Sequence, residues 1–162
     1  MSETVGDPLL FRFFNEMGII DQLASSLFEQ TLPGDLKLSQ FVVLNHFARL
    51  GGVRSPAELA QAFQVSKGAM TNTLQRLEAG RLVKIIPDPA DGRAKLVSIT
   101  HRGEQLRHQA ITGIAPVLKT LEEELGAEQF QQALPFLQAL RITLDKARHP
   151  EYRGRRARLR AD

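Results

Sequence analysis

Ten residues between Ser66 and Lys95 have the types and spacing to make polar and apolar contacts along a nucleic-acid duplex. Ser66, Lys67, Thr71, Asn72, Gln75 and Arg76 bring hydroxyl, amide and cationic groups, and Gly68 among them permits close approach. Asn and Gln can form paired hydrogen bonds with adenine, Thr can touch a thymine methyl, and Lys or Arg can meet guanine or phosphate. Asp91, Arg93 and Lys95 follow on either side of Gly92. A guanidinium on a narrow ribbon can enter the negative potential of an A·T-rich minor groove. Asp91 is expected to orient Arg93 or another arginine rather than to touch phosphate.

Such groups act together only if short elements hold them in order. Ser55-Pro56-Ala57-Glu58 combines a capping serine, a proline suited to the first helical position and a glutamate that can reach back, so a helix should begin near Pro56. Leu59, Ala60 and Phe63 give it one apolar face, and the chain should turn at Gln64-Val65. Ser66 then caps a second helix, with Met70, Leu74 and Leu77 pointing inward and the polar set pointing away. After Gly80, residues 82–86 and 95–99 read as two strands joined by a Pro- and Asp-rich turn, a wing. Thr100 should cap the helix that follows.

Leu38-Ser39-Gln40-Phe41-Val42-Val43-Leu44, Glu58-Leu59-Ala60, Leu77-Glu78-Ala79-Gly80-Arg81-Leu82-Val83, Asp88-Pro89-Ala90-Asp91-Gly92-Arg93 and Ile99-Thr100-His101-Arg102-Gly103 stand in an order that resembles the MarR family of bacterial transcription regulators. The resemblance spans residues 8–148. It implies a mainly α fold with a small β-hairpin wing: a winged helix-turn-helix lobe at 36–100, dimerisation helices at 8–32 and 101–148, and a basic tail at 149–162. It further implies a homodimer on a palindromic operator, a repressor role, and regulation by a small ligand, commonly an aromatic or phenolic acid. Lys84 stands where the family usually has arginine.

Charge follows the same division. Residues 66–102 carry seven Lys/Arg against three acids, whereas residues 1–53 carry three against six and residues 103–152 five against seven. The excess of positive charge therefore falls on the expected reader. Arg153, Arg155, Arg156, Arg158 and Arg160 could form an extra phosphate arm or a solvated tail. With 162 residues, 43% of them hydrophobic, one compact domain with a sizeable core is expected. The absence of cysteine excludes disulfides and thiol-based sensing. No stretch has the apolar length of a membrane span and the first residues lack the order of a signal peptide, so a cytoplasmic protein is expected.

Outside the winged unit, helical spacing predicts helices over 8–32, 39–50, 101–125 and 128–148, with a kink near 131–135 caused by Pro135. The first of these is too apolar for the surface of a monomer. Phe11, Phe14 and Phe47 could line a ligand cavity or serve as plain core, and Arg12 and Arg49 could pair with an acidic ligand or with acids across a dimer. His46, His101, His108 and His149 lack metal-ligand spacing, so no metal or cofactor is expected. Nor is there a nucleophile elbow, a phosphate-binding glycine loop or a metal-carboxylate motif, and an enzyme is not expected. The competing reading is a winged helix used for protein contacts without specific DNA readout.

Overall fold

The computed structural model describes residues 7–147, which form α1 (Leu9–Thr31), α2 (Leu38–Leu50), α3 (Pro56–Phe63), α4 (Lys67–Ala79), β1 (Val83–Pro87), β2 (Lys95–Ile99), α5 (His101–Leu125) and α6 (Ala127–Ala147). The expected mainly helical fold with a hairpin wing is the one adopted. Arg148, His149 and the arginines of 153–162 lie outside the described residues. Two compact units divide the chain, one ending at Ala115 and one starting at Pro116.

The first unit is built around a buried cluster to which each of its short elements contributes. Leu44 and Phe47 of α2, Leu59 of α3, Leu74 and Leu77 of α4 and Val97 of β2 are all fully buried, and Ala110 of α5 closes the cluster. Phe28 of α1 meets Phe41 of α2 edge to face at 4.5 Å, which ties the end of α1 to this core. Phe47 is thus core rather than the wall of a ligand cavity, while Phe11 and Phe14 remain exposed on α1. Near its C-terminus α1 also meets α5 closely. A Cβ at Gly113 would lie 2.7 Å from the Thr31 carbonyl oxygen, so only glycine allows this approach.

The hairpin pairs Val83 with Ile99, Ile85 with Val97 and Pro87 with Lys95 in antiparallel register. Its first strand starts one residue later than the sequence indicates. The Leu82 amide is already bonded to the Leu77 carbonyl at 2.9 Å, which keeps that residue in the turn leaving α4. Pro87, lacking an N–H, closes the strand at the end of the ladder. Sequence reading missed a third strand-like partner: Arg54 and Val97 exchange both backbone hydrogen bonds, at 3.0 and 2.8 Å. That pairing anchors the base of the wing to the segment before α3.

In the second unit, α5 continues past Pro116 and α6 runs through Pro135 as one helix. None of the residues of α6 is buried, and the same holds for α1 in the first unit. Leu10, Ile20 and Leu23 on α1 are 69%, 61% and 61% exposed, and Leu134 and Phe136 on α6 are 54% and 57% exposed.

Candidate nucleic-acid interface

Local chemistry sets the helix-turn-helix before any packing does. The Glu58 amide donates to Ser55 Oγ and the Ser55 amide to Glu58 Oε2, at 3.2 and 2.6 Å, with Pro56 in the first turn. Hydrogen bonds from Ser55, with Arg54 nearby, hold the Glu58 carboxyl below its ordinary range. Gln64 ends α3 in the left-handed conformation, φ 54°, a position more often given to glycine or asparagine. The Val65 amide returns to the Ala60 carbonyl at 3.0 Å, and Ser66 Oγ accepts the Ala69 amide at 3.1 Å to start α4.

Met70, Leu74 and Leu77 hold α4 to the core, at 3%, 2% and 0% exposure. Lys67, Gly68, Thr71, Asn72, Gln75 and Arg76 all lie exposed on the remaining surface. Their spacing, in adjacent pairs one turn apart, makes them a continuous strip rather than a scatter. Ser66 is exposed as well, although its oxygen serves as the cap.

The wing tip is shaped by two aspartates that bond the backbone just beyond themselves. Asp88 Oδ1 accepts the Ala90 amide at 2.8 Å and Asp91 Oδ1 accepts the Arg93 amide at 3.0 Å. The Asp88 amide donates to the Ala94 carbonyl at 3.0 Å, and the Ala94 amide to the Asp91 carbonyl at 2.8 Å. Asp91 therefore orients Arg93 through its backbone, and among the described residues no ion pair joins Asp91 to a guanidinium. Arg93 and Lys95 are both exposed. Lys84, opposite Ser98, is exposed on the hairpin face that carries neither Val83 nor Val97.

A clip at the base of the wing joins it to α4 and α5. Thr100 shares its hydroxyl proton between the carbonyls of Arg81 and Leu82, at 2.8 and 3.0 Å, and the same oxygen accepts the Gly103 amide at 3.1 Å. The Thr100 amide also donates to the Leu82 carbonyl, at 3.0 Å. Farther along α5, Arg107 Nε and Nη2 both donate to Asn45 Oδ1, at 3.2 and 3.0 Å, holding the helix against α2. Neither Asn45 nor Arg54 drew notice in the sequence, because their contacts cross long separations with no local signature.

The histidines take separate places. His46 stacks edge-on to Phe63 and Phe47, at centroid distances of 5.3 and 6.0 Å, and burial followed by the charges of Arg54 and Arg49 lowers its pKa. His101 lies 3.7 Å from Glu104 on an exposed turn. Among the described residues no three His, Asp or Glu side chains come together as a metal-ligand set. No described helix is long and apolar enough to cross a membrane.

Residues 34–94, from just before α2 into the wing, match the model of the MarR family. The transcriptional regulator HosA of Escherichia coli O111:H- is 30% identical over 129 residues, 79% of this chain and 91% of the relative. The HTH-type transcriptional repressor NicR of Pseudomonas putida is 30% identical over 118 residues, 72% of each chain. Among solved structures, a mutant MarR from E. coli complexed with operator DNA superposes with a TM-score of 0.67 at 25% identity, covering 83% of this chain and 99% of that one. With a polar strip on α4, an arginine-tipped wing and relatives matched over most of their length, the chain belongs to the MarR family of DNA-binding transcriptional regulators.

Proposed function

We propose that this regulator is a homodimeric repressor that recognises a palindromic operator and releases it when a small effector binds. The observation that carries the DNA-reading part is the strip of six exposed residues on α4, polar apart from Gly68 and backed by three buried apolar anchors. In this reading each α4 enters a major groove and each Arg93 reaches the flanking minor groove. Two-fold symmetry then places the half-sites about one helical turn, roughly 10 base pairs, apart. Ser66, Lys67, Gly68, Thr71, Asn72, Gln75, Arg76, Asp91, Arg93 and Lys95 are the proposed contact set, with Asp91 acting through the wing backbone.

Support for a dimer comes from the apolar side chains left uncovered on α1 and α6, since a surface of that kind is normally closed by another molecule. Two-fold pairing makes the same patch serve both partners. Repression follows by occupancy of a promoter, and an effector acts by binding the two dimer states with different affinity. The effector class we propose is a small aromatic or phenolic acid, and the cytoplasm is the place of action. A protein-contact module would expose apolar side chains on α4, whereas this face is polar.

Selection of bound duplexes from a random pool at near-physiological salt tests the proposal. An enriched inverted repeat is the expected result. Binding without enrichment that vanishes as salt rises would leave only counterion release and favour the protein-contact reading.

A further inference from the structure

Thr71 carries a constraint that its residue type alone does not reveal. It is exposed, yet its hydroxyl donates to the Lys67 carbonyl one turn back, at 2.8 Å. The proton that could have gone to a purine acceptor is therefore engaged within the helix, so the exposed side chain offers a ligand its methyl and an oxygen that can only accept. The side chains of Asn72 and Gln75, both exposed, have no hydrogen-bond partner among the described residues, so their amides are available for base edges.

Gly68 adds a second, independent feature. It precedes Thr71 by three residues and Asn72 by four, and helical side chains lean toward the preceding turn, so both lie over it. A Cβ at Gly68 would meet nothing within 4 Å. The surface above the Gly68 backbone is therefore open, leaving room beside Thr71 for one small apolar group. In the major groove the group of matching size and polarity is the C5 methyl of thymine, which cytosine lacks.

We propose that Thr71 is a specificity-determining residue that distinguishes thymine from cytosine by seating the thymine methyl against its own methyl above Gly68. The proposal rests on the reading that α4 enters a major groove. It goes further by assigning one base, one chemical group and one residue.

The test uses the full-length protein and the duplexes it enriches from a random pool. Each thymine is replaced in turn by deoxyuridine, which removes the C5 methyl and leaves every hydrogen-bonding group in place. One position per half-site should weaken binding about fourfold, the factor that burying one methyl is worth. Thr71→Ser should bind the thymine and uracil duplexes alike, whereas Thr71→Val, which keeps a methyl, should retain the distinction. Gly68→Ala raises helix propensity, so loss of the distinction in that variant would come from the added methyl group at the surface and not from unfolding. Uniform tolerance of uracil, or a Thr71→Ser protein that still discriminates, overturns the assignment while leaving sequence-specific binding intact. Failure to enrich any sequence removes the groove reading itself, and the assignment with it.

Discussion

Gly103 at the start of α5 lies against the backbone carbonyl of Leu82, so closely that a Cβ there would collide with the oxygen and come within 2.8 Å of Ile99 Cγ1. That same carbonyl accepts from both the amide and the hydroxyl of Thr100. The glycine of the Ile-Thr-x-x-Gly entry therefore protects a junction at which α4, the wing and α5 share one oxygen atom.

Gly103→Ala should lower stability by roughly 1–3 kcal/mol, because the obstructing atom is backbone and cannot rotate aside. Urea denaturation measures this directly. A midpoint equal to that of the parent would show that the junction yields without strain.

Asp91→Ala should weaken binding to a selected operator, since the Arg93 amide loses its acceptor and the tip loses one of its two aspartate turns. Asp91→Asn keeps an oxygen in place and should bind nearly as well as the parent. If the asparagine variant were as weak as the alanine one, the negative charge of Asp91 would matter more than its turn.

Arg93→Ala removes an exposed side chain and should leave thermal stability within about 0.5 kcal/mol of the parent. Operator affinity should nevertheless fall by roughly 1–3 kcal/mol, as expected for the loss of a groove contact. Equal titration curves for the two proteins would reject the minor-groove role.

Leu23, 61% exposed on α1, belongs to no buried cluster among the described residues. Leu23→Glu should therefore fold but fail to dimerise, because pairing would bury an unpaired carboxylate. Sedimentation distinguishes the outcomes: a stable dimer in the variant would place the interface away from this residue.

Acid should destabilise the fold through His46. In the unfolded chain its imidazole takes up a proton near pH 6.5, while in the folded chain burial, Arg54 and Arg49 delay that uptake to lower pH. Stability is therefore lost as pH falls through 6.5, and the loss continues until the folded value is passed. His46→Gln should flatten the dependence of unfolding free energy on pH in this range, a slope that denaturation at a series of pH values would reveal.

Much of the lobe was legible because its signals are local. Ser55 and Ser66 cap the helices that follow them, Met70, Leu74 and Leu77 recur at the helical period, and the wing strands end at Pro87 and begin again at Lys95. Each depends on atoms only a few residues apart, so the order of residue types was enough to locate α3, α4 and the wing. The polar strip on α4 followed from that period, since whatever does not face the core must face away.

Other features depended on chain segments far apart in sequence. The pairing of Arg54 with Val97, the hold of Arg107 on Asn45 and the approach of Gly113 to Thr31 arise only once the core has brought those segments together. Phe47 could equally have lined a cavity by type, and packing among α2, α3, α4 and β2 made it core. Side-chain type and local spacing thus determined which polar groups α4 and the wing expose and which of them are satisfied within a turn, whereas tertiary packing decided how those elements are held in place, because contacts between segments far apart in sequence form only once the core brings them into reach.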